Sequence, residues 1–459
     1  MSLELAGISL YVLSMLVLGY VVSKRIKSDS DYFLAGRSLG PYLATFSIFA
    51  TWFGAETCIG TAGKVMRSGI SGTHADPFGY ALCILLMGYI FARLIWKKQI
   101  TTVPDLFRAR YGVKAERLAA MILIPSSLVW GGAQIRAFGQ IIHTTTDAHV
   151  TLAITIAATV VIIYTISGGL LADAYTDLIQ GFALILGLVV LLTAIVWDLG
   201  GVSAAWRQIK PESLDFLKLN PDEGENWWQR FELWLVPILG SLMSQEIVSR
   251  VAASRSEKIA AESAKRAGWI YLCVGIFPVG IGLLGHVYHP ELTDTDGILP
   301  LLAREHLNLF FYIIFVGALV SAILSTVDST LLAVSALATH NLIYPTLPNL
   351  SEKKKIFLAR TFVFLSGLVA YGIAFTSDSV TGLVETASSL GGPSILVMSC
   401  FALFTKTGNS WSALCAMSAS ILAWFLGHFV WQVDAPVLLT VATCLSVYLL
   451  SLLWIKKES

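Results

Sequence analysis

The chain has 459 residues, of which 56% are hydrophobic and only 13% charged, with a formal net charge of +1. Soluble domains carry about 25% charged residues, so the composition excludes a soluble globular protein. A net charge this close to zero gives no electrostatic footprint for nucleic acid. A polytopic membrane protein is expected.

Crossing roughly 30 Å of hydrocarbon takes about 20 apolar residues at 1.5 Å each. Runs of that kind fall in chain order at 5–23, 40–63, 77–98, 117–143, 149–167, 172–198, 228–249, 267–288, 309–340, 356–376, 380–404, 411–430 and 434–455. The reading is an all-α membrane protein of about 13 transmembrane helices. The first run follows acidic Glu4, with no cationic leader or small-residue cleavage site, and reads as a retained helix. With the N-terminus outside, 23 of the 31 Lys and Arg residues fall on cytoplasmic loops and ends, seven fall outside, and Arg136 lies within a span. That bias obeys the positive-inside rule. It places the chain in the cell (inner) membrane with its C-terminus cytoplasmic. The inner loop 249–268 is basic and helix-forming, suited to a solvated face or to anionic lipid.

Two runs carry helix-breaking residues. "FATWFGAETCIGTAG" (49–63) holds Gly54, Gly60, Gly63 and a charged Glu56, and "WLVPILGSLMSQEIVSR" (234–250) holds Pro237, Gly240 and Glu246. Proline removes a helix hydrogen bond and glycine exposes backbone. The breaks lie five runs apart, as a 5+5 inverted repeat requires when two discontinuous helices meet near the midplane. The organisation read from this is an N-terminal extra helix with its inner loop (1–39), a first repeat (40–198) and an outer loop (199–227) with acidic "DEGEN" at 222–226. A second repeat (228–404) and two C-terminal helices (405–459) follow.

"LVSAILSTVDSTLLAVSAL" (319–337) is apolar enough for a bilayer, yet places Ser321, Ser325, Thr326, Asp328, Ser329 and Thr330 within a dozen residues. A sodium ion takes oxygen ligands, and hydroxyls with unwound carbonyls supply them at little charge cost. Thr326, Ser329 and Thr330 stand at i, i+3 and i+4 on one helical face. Helix gluing or bonding back to their own turn is the alternative. The six cysteines, all in apolar runs without metal-ligand spacing, read as small hydrophobes. No phosphate loop, His/Cys cluster or nucleophile–base motif is present in the sequence, so an enzyme is not expected.

The stretches "DYFLAGRSLG" (31–40), "FATWFGAETCIGTAG" (49–63), "YTISGGLLADAYTDLIQG" (164–181) and "SAILSTVDSTLLAVSAL" (321–337), in that order, resemble the sodium:solute symporter family, over nearly the whole chain. The resemblance implies a leucine-transporter-like core with discontinuous first and sixth core helices and secondary active transport driven by sodium. It implies sodium ligands from the carbonyls of Ala50, Phe53 and Thr326 and the hydroxyls of Ser329 and Thr330. Asp177 matches an aspartate that serves a second cation site in some relatives, which also carry serines where this chain has Leu332 and Ala333. One sodium per cycle is therefore expected, with Asp177 as an electrostatic helper or proton-sensitive group.

The solute cavity is expected between the breaks, among Trp52, Glu56, Thr57, Tyr80, Trp130, Gln134, Ser244, Gln245 and Glu246. "DPFGYALCILLMGYIFAR" (76–93) and Trp130 resemble the family's choline-transporting branch. That branch's Pro-Trp-Gln, however, reads Met243, Ser244, Gln245 here, and an aromatic wall matters to cation–π attraction. The sugar branch's amide and tyrosine correspond to Met243 and Glu246. Intramembrane carboxylates mark function by default, so Glu56 and Glu246 point to an amino acid, a betaine-like zwitterion or another small amine. Glu56 bracing its own break, and Glu246 pairing with Arg250 one turn later, are the structural alternatives. Arg136, Asp328 and Glu385 read as paired, supportive charges, and the small residues of 385–394 suit an outer gate. The expected partners are a small-molecule solute, sodium and membrane lipid, with no nucleic acid, in a monomer or loose homodimer. Open alternatives are a proton-coupled carrier, a carboxylate or sugar carrier of the same fold, and a non-transporting receptor or channel-like member.

Overall fold

The computed structural model describes residues 3–458 except 55, 147, 220–224, 293, 294, 348 and 378. Asp222, Glu223 and Gly224 of the acidic stretch therefore lie outside the described residues. The principal helices are α1 (Leu3–Ser23), α2 (Pro41–Trp52), α3 (Thr61–Ser68), α4 (Tyr80–Leu86), α5 (Val103–Tyr111), α6 (Val113–Thr146), α7 (Val150–Asp198) and α8 (Trp227–Ser241). They continue as α9 (Gln245–Ala253), α10 (Glu257–Tyr288), α11 (Leu309–Ala336), α12 (Glu352–Ile373), α13 (Val380–Ser389), α14 (Gly392–Phe404), α15 (Ser410–Phe425) and α16 (Pro436–Glu458). No β-strand occurs among the described residues. Each apolar run read from the sequence lies on helix. Among the described residues nine helices are long and apolar enough to cross a membrane, ten if the bent pair α8 and α9 counts as one, while Ser9–Ser23 and Val150–Ile166 are shorter apolar helices.

Four interruptions position the site. α2 leaves helical geometry at Phe53 (φ −81°, ψ 62°) and Gly54, and a wide turn over Glu56–Gly60 leads into α3. α8 ends at Ser241, and α9 starts after Ser244 with its axis turned by 46°. α7, at 49 residues, would be about 74 Å long if straight. Gly169, at φ 65° and ψ 167°, bends it where the sequence places a boundary between two runs. The fourth interruption is Gly391, at φ 80°, between α13 and α14. Glycine alone adopts such positive φ without a side-chain clash.

α11 is the central strut. Every residue from Phe315 to Ala336 is buried, and it packs against α6, α7 and α1. At the second break, backbones replace side chains as the contact. A Cβ built on Gly240 would lie 2.0 Å from the Ser388 carbonyl oxygen, and one on Gly392 would lie 2.1 Å from the Gly240 oxygen.

Candidate functional site

At the first break the helical ladder stops with the Phe53 N–H on Phe49 O (2.9 Å) and resumes with Cys58 N–H on Gly54 O (3.2 Å). The Trp52 carbonyl accepts instead from the Thr57 and Tyr271 hydroxyls, each at 3.4 Å. Breaking a helix leaves carbonyls without amide partners, and Ala50 and Phe53 lie in that interval, both buried. Facing them across the gap is Thr326. A Cβ on Gly54 would stand 2.9 Å from its Oγ1 and 3.1 Å from Gln134 Oε1.

The three hydroxyls read as one face divide between two. Thr326 and Thr330 look toward α6, where the Thr330 methyl lies 3.4 Å from a Cβ built on Gly131. Thr326 Oγ1 also donates to Ala322 O (3.1 Å), and Thr330 Oγ1 to Thr326 O (2.7 Å). Ser329 looks toward α7, donating to Ser325 O (2.8 Å) and Asp173 Oδ2 (3.1 Å) and accepting from Arg250. Ser325 shares that face and donates to Asp177 Oδ1, whose other oxygen accepts from Ser47 of α2 at 2.7 Å. Asp177 thus ties α2 to the hydroxyl helix.

The expected cavity residues also separate. A narrow cavity of about 30 Å³ is lined by Glu56, Asp76, Tyr80, Lys64, Thr61, Pro237, Thr381 and Glu385, among others. Glu56 is 5% exposed. Its Oε2 accepts from Trp130 Nε1 at 3.4 Å, while Oε1 has no hydrogen-bond partner among the described residues. Trp130 meets Trp52 edge-on, ring centroids 5.0 Å apart, and the Tyr80 hydroxyl reaches Ser388 Oγ at 3.3 Å. Thr57 is held behind the cavity wall, donating to Asp76 Oδ2 (2.6 Å) and touching the Tyr271 hydroxyl (2.6 Å), which itself donates to both Asp76 oxygens.

The residues of the second break are engaged by the protein itself. Gln245 receives the Val103 N–H (2.8 Å) and donates to Thr101 O (3.2 Å), locking α9 to α5. Glu246 accepts from Ser127 Oγ of α6 at 2.7 Å, and Ser244 occupies the N-cap of α9. The Glu246–Arg250 side-chain pair does not form. Arg250 bonds the Glu246 backbone carbonyl (3.0 Å) and pairs with Asp173 of α7. The guanidinium has a carboxylate partner closer to its fork than Glu246, which lies on its own helix. Arg136 closes the end of α12 by donating to Ala374 O (3.2 Å), and Glu385 pairs with Lys64 at 2.7 Å. Asp328 is fully buried, its carboxylate 3.7 Å from a Cβ built on Gly168 of α7.

Asp76, Tyr271, Asp173, Ser47 and Lys64 were not among the sequence candidates. Asp76 was visible as a carboxylate opening an apolar run, which is itself a flag. The others acquire meaning only from partners far along the chain.

Comparison with known proteins places the chain in a family. The family model described as "Sodium:solute symporter family" matches residues 32–420. The human high affinity choline transporter 1 is 27% identical over 438 residues, covering 89% of this chain and 74% of its own. The Escherichia coli K12 sodium/proline symporter is 26% identical over 423 residues, covering 87% and 83%. A sodium-coupled sialic acid symporter, solved substrate-bound and outward-open, superposes with a TM-score of 0.83 over 97% of both chains at 20% identity, which shows a shared fold.

Proposed function

The chain belongs to the sodium:solute symporter family, a multi-pass membrane carrier of leucine-transporter-like fold that couples uptake of a small organic solute to sodium, and from that premise we propose that its solute carries a positively charged nitrogen held at Glu56. One observation carries this reading: a buried carboxylate oxygen on the cavity wall has no donor of its own. An unsatisfied buried acceptor is costly, and a solute N–H or alkylammonium group relieves it. Tyr80 lines the cavity beside Glu56, and a cation gains further over an aromatic face. Choline and proline, named for two relatives, share a cationic nitrogen.

Sodium sits at the first break in this proposal, on the carbonyls of Ala50 and Phe53 and the Thr326 hydroxyl, with Ser325 in place of Ser329 and Thr330. Ser325 is chosen because its hydroxyl is linked through Asp177 to Ser47 of α2, the helix that ends at the break, whereas Ser329 is committed to Arg250 and Asp173. Asp177 acts electrostatically, and one sodium moves per cycle. The N-terminus lies outside and the C-terminus in the cytoplasm, so α3 and Glu385 face outward and Arg250 inward. The repeats are 40–198 and 228–404.

Uptake and thermal stability with choline and L-proline, in sodium and in potassium, test the reading. Sodium-dependent responses should weaken at least tenfold in Glu56→Gln. An unchanged half-saturation in that variant removes the nitrogen assignment. A sodium Hill coefficient near two removes the single-ion stoichiometry.

A further inference from the structure

The wall of the solute cavity changes sign along its length, and Lys64 stands at the change. The inner cavity holds three carboxylates, Glu56, Asp76 and Glu385, against the single cation Lys64. A second cavity opens directly above it and shares Lys64, Gly72, Ala75 and Leu233 with the first. Among the described residues it is lined by Lys64, Arg67 and Arg230 against the carboxylate of Glu225. A solute descending this path meets a cationic collar and then an anionic floor. Such a gradient orients a dipolar molecule with its positive end down and its negative end at Lys64.

Lys64 and Glu56 lie on one continuing segment, eight residues apart. Lys64 of α3 is held by Glu385 of α13 at 2.7 Å. The two side chains are 27% and 41% exposed. A pair so open to water contributes little stability and exchanges readily, unlike the fully buried Arg250–Asp173 pair. Glu385 sits on α13, which ends at Leu390 and Gly391, where a φ of 80° turns the chain into α14.

We infer that Lys64 is the carboxylate subsite of the solute cavity, and that Glu385 takes the place of the solute's carboxylate when the cavity is empty. The solute is then a zwitterion. Its nitrogen lies at Glu56, and its carboxylate displaces Glu385 from Lys64 and so releases α13. This rests on reading the Glu56 cavity as the solute site and extends it by a second charge. It also makes the outer closure responsive to a solute with both groups and indifferent to a simple cation.

The test uses matched probes on the full chain in sodium: glycine betaine against choline, and L-proline against its methyl ester. Each pair keeps the cationic nitrogen and differs in the carboxylate. Stabilisation of the wild type should require at least tenfold less of a zwitterion than of its carboxylate-free counterpart. Lys64→Gln should erase that preference, and Lys64→Arg, which keeps the charge, should retain it. Glu385→Gln should tighten the zwitterion several-fold and leave the carboxylate-free probe where it was, because the internal competitor is gone.

Several results overturn the subsite. They are a wild type that prefers choline or the ester, or one that responds to no zwitterion among the twenty amino acids and glycine betaine. A preference that survives Lys64→Gln, or a Glu385→Gln effect equal for both members of a pair, does the same. Glu56→Gln separates the two claims. If it weakens every probe while Lys64→Gln changes none, only the carboxylate subsite fails. If Glu56→Gln changes nothing, the nitrogen reading beneath it fails.

Discussion

Arg250 and Asp173 meet at 2.5 Å with neither side chain reached by solvent. The same guanidinium donates to Ser47 Oγ of α2 (3.1 Å), to Ser329 of α11 and to the Glu246 carbonyl of α9. One side chain therefore ties together four helices, two of which flank the helix breaks. Removing one partner of a buried ion pair costs about 3–5 kcal/mol, because the other charge is left uncompensated. Asp173→Asn should lower the melting temperature of the purified protein sharply. Arg250→Met with Asp173→Leu should recover much of that loss while abolishing uptake, since the helices would no longer be registered through a polar hub. Full stability in Asp173→Asn alone would show that Arg250 is neutralised by another carboxylate of α7 or α11.

The sodium site at the first break yields a steric prediction. Gly54 has room for no side chain, because its Cβ would lie 2.9 Å from Thr326 Oγ1 and 3.1 Å from Gln134 Oε1. Gly54→Ala should therefore fill the space between the free carbonyls and the hydroxyl. A ligand at a hundredfold excess over its Kd stabilises the folded state by about 2.7 kcal/mol. That increment between saturating sodium and potassium should vanish in Gly54→Ala and in Thr326→Ala, and persist in Thr330→Ala. A full sodium increment in Gly54→Ala moves the ion elsewhere.

Much of this was readable in the chain, and the reasons differ from one element to another. The breaks at Gly54 and near Gly240 were legible because glycine and proline act on backbone locally. The bend at Gly169 showed as a gap between two runs that a straight helix cannot join across one bilayer. Glu56 was legible because a carboxylate inside an apolar run has few reasons to be there. The division of the hydroxyls was not. Ser325, Thr326, Ser329 and Thr330 are two i, i+4 pairs offset by one residue, about 100° of helix, and spacing alone cannot say which neighbour each pair faces. The contacts of Gln245 and Glu246 were hidden for a related reason. Their partners, Val103 N–H and Ser127 Oγ, lie more than a hundred residues away. Lys64 acquires its partner only when α13 brings Glu385 against it.

At the inner end, Asp105 of α5 contacts His340 (3.1 Å) and Asn341 (3.1 Å) and accepts from the N–H groups of Thr101 (2.8 Å) and Thr102 (3.0 Å). Burial alone pushes its carboxyl up. The hydrogen bond and charge of His340, with the two backbone N–H groups, outweigh that and hold it below the usual carboxylate range. A carboxylate whose folded pKa is depressed adds stability above its unfolded pKa, about 3.9, and loses it as pH falls through the folded value. Asp105→Asn should therefore destabilise the protein near pH 7, with the deficit narrowing as the pH drops below about 4. Unfolding of wild type and variant across pH 3–7 measures it. A deficit that is constant with pH assigns the residue a purely geometric role.

The second break is held by backbone against backbone, and one methyl group tests it. A Cβ on Gly240 would lie 2.0 Å from the Ser388 carbonyl oxygen and 2.7 Å from its carbon, atoms that cannot rotate away as a side chain would. Overpacking a core costs about 1–3 kcal/mol when side chains can give, so Gly240→Ala should reach or exceed the upper end. It should also lower uptake at least tenfold by prising α8 from the α13–α14 junction. Gly372, near the end of α12, is the control, because no atom lies within 4 Å of its Cβ position. There alanine should be neutral or stabilising by up to about 1 kcal/mol through helix propensity. Equal effects at the two sites would mean that the loss at Gly240 came from helix bending, with no close contact between the broken helix and the α13–α14 junction.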